Sequence, residues 1–121
     1  MKEKDLHRQI CNYLKWKYPD ILFNVDLSGV NVGAKKGKEL KQLRSNKGFP
    51  DIHIMEARGK YHGLFLEIKK ESPYKQDGKL KKNKHIYEQA EVMNKLIRRG
   101  YSVKFAWEYE MATEIIDKYL K

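Results

Sequence analysis

Residues 48–69 read GFPDIHIMEARGKYHGLFLEIK and contain two β-rich runs separated by a short turn. Residues 51–55 and 64–68 predict two strands, and residues 58–60, which include Gly59, suit a hairpin turn between them. Side chains alternate along a strand, so Asp51 is expected on the face opposite Ile52. The segment therefore predicts an antiparallel hairpin, and we take it as the centre of the fold.

The hairpin also gathers the residues with the most distinctive chemistry. Asp51 opens one strand and Glu67 ends the other, so both carboxylates are expected at the same end of the sheet. Glu67 and Lys69 share a face, whereas the side chain of Ile68 points into the core and leaves its carbonyl available to a metal. Phosphodiester hydrolysis needs a cation, an activated water and a positioned donor, and these groups can supply all three. Oxygen ligands of this kind favour Mg²⁺ or Mn²⁺, although Asp, Glu and Lys at strand ends are also common solvated residues.

The segments before the hairpin are a helix, a short strand and a long basic stretch. Apolar residues at Leu6, Ile10, Tyr13 and Leu14 have helical spacing over residues 3–18. Residues 21–25 are β-rich. Residues 26–47 are rich in glycine and lysine, and we interpret them as a long loop with a helical turn near residues 39–43.

The segments after the hairpin complete an α/β order. Residues 72–83 form a second basic loop, and the apolar stripe Ile86, Ala90, Met93 and Ile97 predicts a helix that stops at Gly100. Residues 101–107 predict a third central strand, and residues 111–120 a final helix with Met111, Ile115 and Tyr119 on one side. The predicted order is α-β-β-β-α-β-α. A right-handed crossover makes the last two strands parallel, so the sheet is mixed and packed between helices.

Composition limits the classes of protein to which the chain can belong. Its 121 residues suit one compact domain spanning residues 1–121, and its hydrophobic fraction of 40% is too high for a disordered tail. A formal net charge of +10 makes nucleic acid the leading partner. An anionic membrane surface would also attract it, but no run approaches the roughly 18 apolar residues of a spanning helix. One cysteine, Cys11, fits a reducing compartment. We expect a soluble protein of the cytoplasm.

The strings Gly48-Phe49-Pro50-Asp51 and Leu66-Glu67-Ile68-Lys69 resemble the G-x-PD and E-x-K motifs of the PD-(D/E)xK nuclease superfamily. Within that superfamily the chain most resembles the VRR-NUC domain, over nearly its whole length. The resemblance implies a restriction-endonuclease-like core. It also implies that the aspartate and glutamate bind a divalent metal, that the residue after the glutamate lends its carbonyl, and that the lysine orients or activates water.

The resemblance adds two residues to the expected site. A glutamate at the start of the first helix matches Glu3, as a further metal ligand, and a glutamine in the helix after E-x-K matches Gln89, in the catalytic set. Glu3 extends the buried stripe of its helix, but a solvated acid that stabilises the first helical turn is an equal alternative. Gln89 lies on the apolar side of its helix and is expected to face the site. His7 departs from the family, which often has glutamine there, and His53 is the histidine that shares the face of Asp51.

Basic residues flank the expected site in the sequence and are candidates for DNA binding, although lysine runs often only solvate a surface. Phosphate contacts hold a duplex without reading its bases, so these residues point to a structure-selective enzyme. They are Lys35, Lys36, Lys38, Lys41, Arg44 and Lys47 before Asp51, and Lys70, Lys75, Lys79, Lys81, Lys82 and Lys84 after Glu67.

The sequence therefore predicts a Mg²⁺- or Mn²⁺-dependent endonuclease that cuts DNA, branched DNA such as a Holliday junction in particular. Similarity to the smallest members of the family implies a phage or bacterial source and a homodimer, with Ile116 and Leu120 as candidate interface residues. A flap, repair or restriction-type nuclease of the same superfamily is one alternative. A DNA-binding module without catalysis is the other, although clustered carboxylates would repel phosphate in such a module.

Overall fold

The computed structural model describes residues 2–26 and 33–121. Within these residues the chain forms four helices and four strands. In chain order they are α1 (Glu3–Lys17), β1 (Phe23–Val25), α2 (Ala34–Leu43), β2 (Ile52–Ile54), β3 (Leu64–Ile68), α3 (Lys84–Arg98), β4 (Ser102–Ala106) and α4 (Tyr109–Leu120).

The strands form one mixed sheet in the order β1-β2-β3-β4. The predicted hairpin is present, with β2 and β3 antiparallel and Ile52 opposite Leu66. The β3-α3-β4 crossover makes β4 parallel to β3, with Glu67 opposite Phe105. The mixed sheet is thus confirmed, but the strand expected at residues 101–107 is not central, because β4 pairs only with β3 among the described strands.

Helices cover both faces of the sheet, as expected for a buried mixed sheet. One face packs Leu64, Leu66 and Ile68 of β3 against apolar residues of α1 and α4. The other face packs Phe65 of β3 against Met93 of α3. Alternation along β3 therefore sends even-numbered residues towards α1 and α4, and Phe65 towards α3.

Two of the predicted helical stripes need correction. In α4 the buried residues are Ala112, Ile116 and Leu120, one position beyond the predicted stripe of Met111, Ile115 and Tyr119, which is only half-buried. Ile116 and Leu120 are 0% and 7% exposed within the core, so they are not available to a dimer interface. In α3 the buried residues are Ile86, Val92 and Met93. Ile97, which was predicted to belong to the apolar stripe, is exposed.

The basic stretch before the hairpin is more ordered than predicted. Instead of a helical turn near residues 39–43, α2 spans ten residues from Ala34 to Leu43. None of its residues is buried, so it has no apolar face that would mark it in a periodicity analysis. The predicted loop also includes residues 27–32, which lie outside the described residues.

A polar cluster joins α1 to α4. The Tyr13 and Tyr18 hydroxyls donate to Asp117 Oδ1 at 2.7 and 2.6 Å, and Lys17 Nζ lies 3.0 Å from Asp117 Oδ2. Burial alone would raise the pKa of Asp117, but these hydrogen bonds and the lysine charge outweigh it and lower the pKa to about 2. The cluster holds together two helices that are far apart in the sequence.

None of the helices in the described part of the chain has the length and apolar character needed to cross a membrane.

Candidate functional site

Asp51 and Glu67 meet on the face of the sheet that α3 covers. The backbone N–H of Ile68 donates to Asp51 Oδ2 at 2.7 Å, which places this carboxylate beside the end of β3. The Asp51 carbonyl accepts a hydrogen bond from the N–H of Asp26, so the backbone at Asp51 is fixed as well. The hairpin thus brings together the two carboxylates that the sequence predicted at one end of the sheet.

Glu67 is the one buried charged residue in the described part of the chain, with an exposure of 3%. Burial is the main cause that raises the pKa of its carboxyl group, and the hydrogen bond and negative charge of Asp51 raise it further. The positive charge of Lys69 acts in the opposite direction. Two carboxyl groups in contact in a buried position disfavour double ionisation, so the pair favours a proton or a cation between them.

His53 lies next to the carboxylates but belongs to the packing beneath them. Its ring stacks on Phe65 with 4.0 Å between ring centroids and meets Tyr101 edge-on at 6.0 Å. Burial lowers the pKa of its imidazole. Asp51 lies two residues before His53, and Glu67 lies two residues after Phe65, so strand alternation puts the aromatic pair and the carboxylates on the same face. The aromatic pair therefore packs beside the carboxylate site on the same face of the sheet.

Gln89 of α3 lines the cleft that also contains Lys69, and its catalytic role stays a prediction. Its Oε1 atom and the Oε1 atom of Glu67 are both buried without a hydrogen-bond partner among the described residues. A buried oxygen without a partner costs about 1–3 kcal/mol, so such atoms indicate a group that the site is built to hold.

Gly48 lets this part of α3 approach the segment that leads to Asp51. It has a φ of +82°, and a Cβ atom on it would lie 3.1 Å from the Glu88 carbonyl carbon and 3.2 Å from Gln89 Cα. In the sequence Gly48 was identified only as part of a motif, and its contact with α3 was not predicted. A glycine directly before the Phe-Pro-Asp run indicates a special backbone conformation but does not identify the segment that it contacts.

A cleft of about 520 Å³ opens beside the carboxylates, lined by Glu3, Lys69 and Gln89 among others. Glu3 stands in the exposed first turn of α1. Its negative charge is among the causes that raise the pKa of Glu67, so it lies within electrostatic range of the site. Direct ligation of a metal by Glu3 stays a prediction. His7, one turn later, is half-buried.

The carboxylate pair fits a hard divalent cation, although the ligand set is small. Within residues 2–26 and 33–121 no group of three His, Cys, Asp or Glu side chains could hold a metal ion. The oxygen atoms on hand are those of Asp51 and Glu67, whose Oε1 has no partner among the described residues, and a contribution from the Ile68 carbonyl stays a prediction. Such a set suits Mg²⁺ or Mn²⁺, which keep several waters as ligands. A dication would neutralise the repulsion that raises the pKa of Glu67.

The predicted DNA-binding residues fall into two groups. Lys70, Lys81 and Lys82 line the cleft with Lys69, so the structure brings these four lysines to the carboxylate site. Lys35, Lys36, Lys38 and Lys41 are exposed along α2, and none of the four lines the cleft. The remaining candidates are Arg44, Lys47, Lys75, Lys79 and Lys84, which flank α2 or lie between β3 and the first turn of α3, and all but the half-buried Arg44 are exposed.

Comparison with solved structures finds the same fold in a chain described as a "VRR_NUC domain protein". The two structures superpose with a TM-score of 0.68 over 99% of this chain and 88% of the other, at 23% sequence identity. This likeness confirms the predicted restriction-endonuclease-like fold class. Neither the protein-family models nor the curated proteins include a match.

Proposed function

We propose that this protein is a metal-dependent endonuclease that hydrolyses DNA phosphodiester bonds, and that it is a VRR-NUC nuclease of the PD-(D/E)xK superfamily. The observation that carries the proposal is the buried carboxylate pair, in which Glu67 contacts Asp51 and keeps one oxygen without a partner. A fold shared with a VRR_NUC domain protein supports it. Burying an acid at 3% exposure is costly, and a stabilising role does not account for it.

The residues divide the chemistry among them. Asp51, Glu67 and the Ile68 carbonyl would hold Mg²⁺ or Mn²⁺, and Glu3 would be a further metal ligand. The bound ion supplies charge neutralisation at the phosphate and a lowered pKa for water. Lys69 orients the attacking water or donates to a phosphate oxygen. Gln89 would contribute its side-chain amide, whose buried Oε1 has no partner among the described residues.

We further propose that the substrate is branched DNA, such as a Holliday junction, and that the active form is a homodimer of phage or bacterial origin. Exposed lysines on α2 and on the segment 70–84 can contact phosphates of different helical arms without reading bases. Cutting two strands symmetrically requires two copies of the site. Flap, repair or restriction-type cleavage within the same superfamily is the alternative for the substrate.

A DNA-binding module without catalysis is the alternative of a different class. It would explain the net charge of +10 and the exposed lysines. It would not explain why a buried acid stands beside a second acid, because both repel phosphate.

The test is cleavage of labelled junction, flap and linear duplex DNA with Mg²⁺, with Mn²⁺ and with a chelator. We expect cutting with either metal, fastest on the junction, and none with Asp51→Asn or Glu67→Gln. Glu67→Gln is expected to fold at least as stably as the original chain, because it replaces a buried acid with a neutral isostere. Cleavage at the original rate by either variant would sink the site assignment.

A further inference from the structure

A second cavity, of about 880 Å³, lies along β4 and shares no lining residue with the cleft at Gln89. We call it the β4 groove. Its lining includes the aromatic residues Tyr61, Tyr74, Phe105, Trp107 and Tyr119. Its basic residues are Arg58, Lys60, Lys104, Lys118 and Lys121. None of the described lining residues is acidic.

Three of the five cations have no ion-pair partner within the described part of the chain. Arg58 is paired with Glu56, and Lys121 lies 4.0 Å from Asp117. Lys60, Lys104 and Lys118 have no such carboxylate. A concave surface with several unpaired lysines and no acid attracts a polyanion.

The aromatic rings offer flat surfaces beside these charges. Tyr74 is 39% exposed and meets Trp107 edge-on, with 6.1 Å between ring centroids. Tyr61 and Tyr119 form a second, tilted pair at 6.4 Å, in which Lys60 Nζ lies over the Tyr61 ring. The edge-on setting of Tyr74 and Trp107 leaves at least one face uncovered by the partner ring. Uncovered aromatic faces interleaved with lysines are the chemistry by which proteins bind unpaired bases and their phosphates.

We propose that the β4 groove binds a single strand of nucleic acid, which stacks its bases on Tyr74 and Trp107 and sets its phosphates against Lys60, Lys104 and Lys118. The inference deepens the proposed function, because the strand would be an unpaired part of the same DNA substrate. Tyr74 lines the groove, and the preceding Pro73 lines the catalytic cleft. A single strand of nucleic acid that leaves the cleft therefore reaches the β4 groove by crossing the Pro73-Tyr74 segment.

A second copy of the chain is the other occupant to consider, since β4 has an edge with no described strand beside it. The charges disfavour that occupant. Two copies that paired through this edge symmetrically would bring their Lys104 side chains and the neighbouring lysines together. Nucleic acid instead neutralises the same charges.

The experiment follows Trp107 fluorescence during titration with oligothymidylate, in a chelating buffer that prevents cleavage. Trp16 is 77% exposed on α1 and is not part of the groove, so Trp16→Phe leaves Trp107 as the single reporter. We expect quenching that saturates, because a stacked base quenches indole emission. Tyr74→Ala should weaken binding about 5- to 150-fold, the range of one stacked base.

Charge variants separate the groove from general attraction. Replacing Lys60, Lys104 and Lys118 with glutamine should weaken binding about 100-fold near 0.1 M salt, since each single-strand phosphate contact has a slope of about −0.7. The matched control replaces Lys15, Lys95 and Arg98, which line neither cavity, and should weaken binding far less.

Absence of quenching, or equal losses in the groove and control variants, would overturn the proposal. A dimer that dissociates in the groove variant, seen by sedimentation velocity, would overturn it in favour of a contact between copies. The titration is independent of catalysis. If oligothymidylate quenches Trp107 normally but the original chain does not cut DNA, the nuclease assignment fails and the groove proposal stands. If the original chain cuts DNA but Trp107 is not quenched, the groove proposal fails and the nuclease assignment stands.

Discussion

At the scale of single residues, Lys69 is the side chain whose role is easiest to separate from binding. It lines the cleft beside the buried Glu67, whereas many other lysines are available to hold phosphates. We expect Lys69→Met to lower turnover by about 10²- to 10⁴-fold, the range of a group that transfers or positions a proton. Single-turnover cleavage and binding titrations on the same substrate measure the two effects.

The control for Lys69 is its neighbour. Lys70 is exposed, and it lines the same cleft. Lys70→Met should weaken affinity modestly and leave turnover near the original value. If Lys69→Met loses affinity and turnover in equal proportion, Lys69 is only one more phosphate contact.

Gly48 is the residue whose replacement tests how the site is assembled. In Gly48→Ala the new Cβ would press on the backbone of α3 at 3.1–3.2 Å, and the residue would keep a φ of +82°. We expect a loss of about 1–3 kcal/mol in the free energy of unfolding. Cleavage should fall further than stability predicts, because Gln89 moves with α3. Urea unfolding and cleavage rates measure the two losses.

Gly78 provides a matched control for this variant. Its φ is +83°, and a Cβ atom there would meet nothing within 4 Å. Gly78→Ala therefore carries the backbone cost without the contact with α3. Similar losses of activity in the two variants would contradict a positioning role for Gly48.

At the scale of elements, α2 carries a charge pattern whose role can be measured. Lys35, Lys36 and Lys38 are exposed on a helix that buries no residue. Changing all three to alanine should flatten the log-log salt dependence of duplex binding by as much as about 2.7, or about 0.9 for each lost phosphate contact. Preference for junction over linear duplex should fall as well.

The same matched control serves here, with alanine at Lys15, Lys95 and Arg98. Titrations at several salt concentrations on junction and linear DNA measure both quantities. If the α2 variant keeps the original slope and the original preference, α2 is a solvated surface and contributes nothing to substrate selection.

Some helices and strands could be predicted from the sequence, and others could not. The bounds of β3 and the start of α1 were predicted to the residue, because a short β-rich run between Gly63 and Lys69 marks the strand and spaced apolar residues mark the helix. The carboxylate pair was predicted because strand order alone places Asp51 and Glu67 at one end of the hairpin. The length of α2 was not, since a helix without a buried face has no period to detect.

The misplaced residues have physical causes too. The buried stripe of α4 was predicted one residue early, because Ala112 is small and Met111 looks like the better core residue, yet close packing against α1 needs the alanine. The contact of Gly48 with α3 joins segments that are distant in the sequence, and a single sequence does not reveal such contacts.

At the scale of the whole molecule, the cluster between α1 and α4 makes stability depend on acidity. The pKa of Asp117 is lowered from 3.8 to about 2 in the folded chain by its hydrogen bonds and the Lys17 charge. A group with a lowered folded pKa contributes its stability above the unfolded pKa, and the contribution disappears as pH falls through the folded value. The stabilisation should therefore be complete above about pH 4 and lost towards pH 2.

Asp117→Asn tests this dependence. At pH 6 we expect the variant to lose about 1–3 kcal/mol in the free energy of unfolding, and the gap to the original chain should close as pH falls below 4. Glu114→Gln, at an exposed position of the same helix, should show no such gap. Urea unfolding at several pH values measures it, and a gap that stays constant down to pH 2 would contradict the assignment to Asp117.

The same cluster has a consequence for synthesis on the ribosome. Tyr13 and Asp117 are 104 positions apart, and the apolar side of α1 packs against α4 as well as the sheet. While the chain is being translated, α1 leaves the exit tunnel well before α4, because 104 positions separate Tyr13 from Asp117. Long-range contacts of this kind slow folding. We therefore expect the carboxylate site to form only after α4 has left the exit tunnel, so that translation products truncated before α4 lack the folded site.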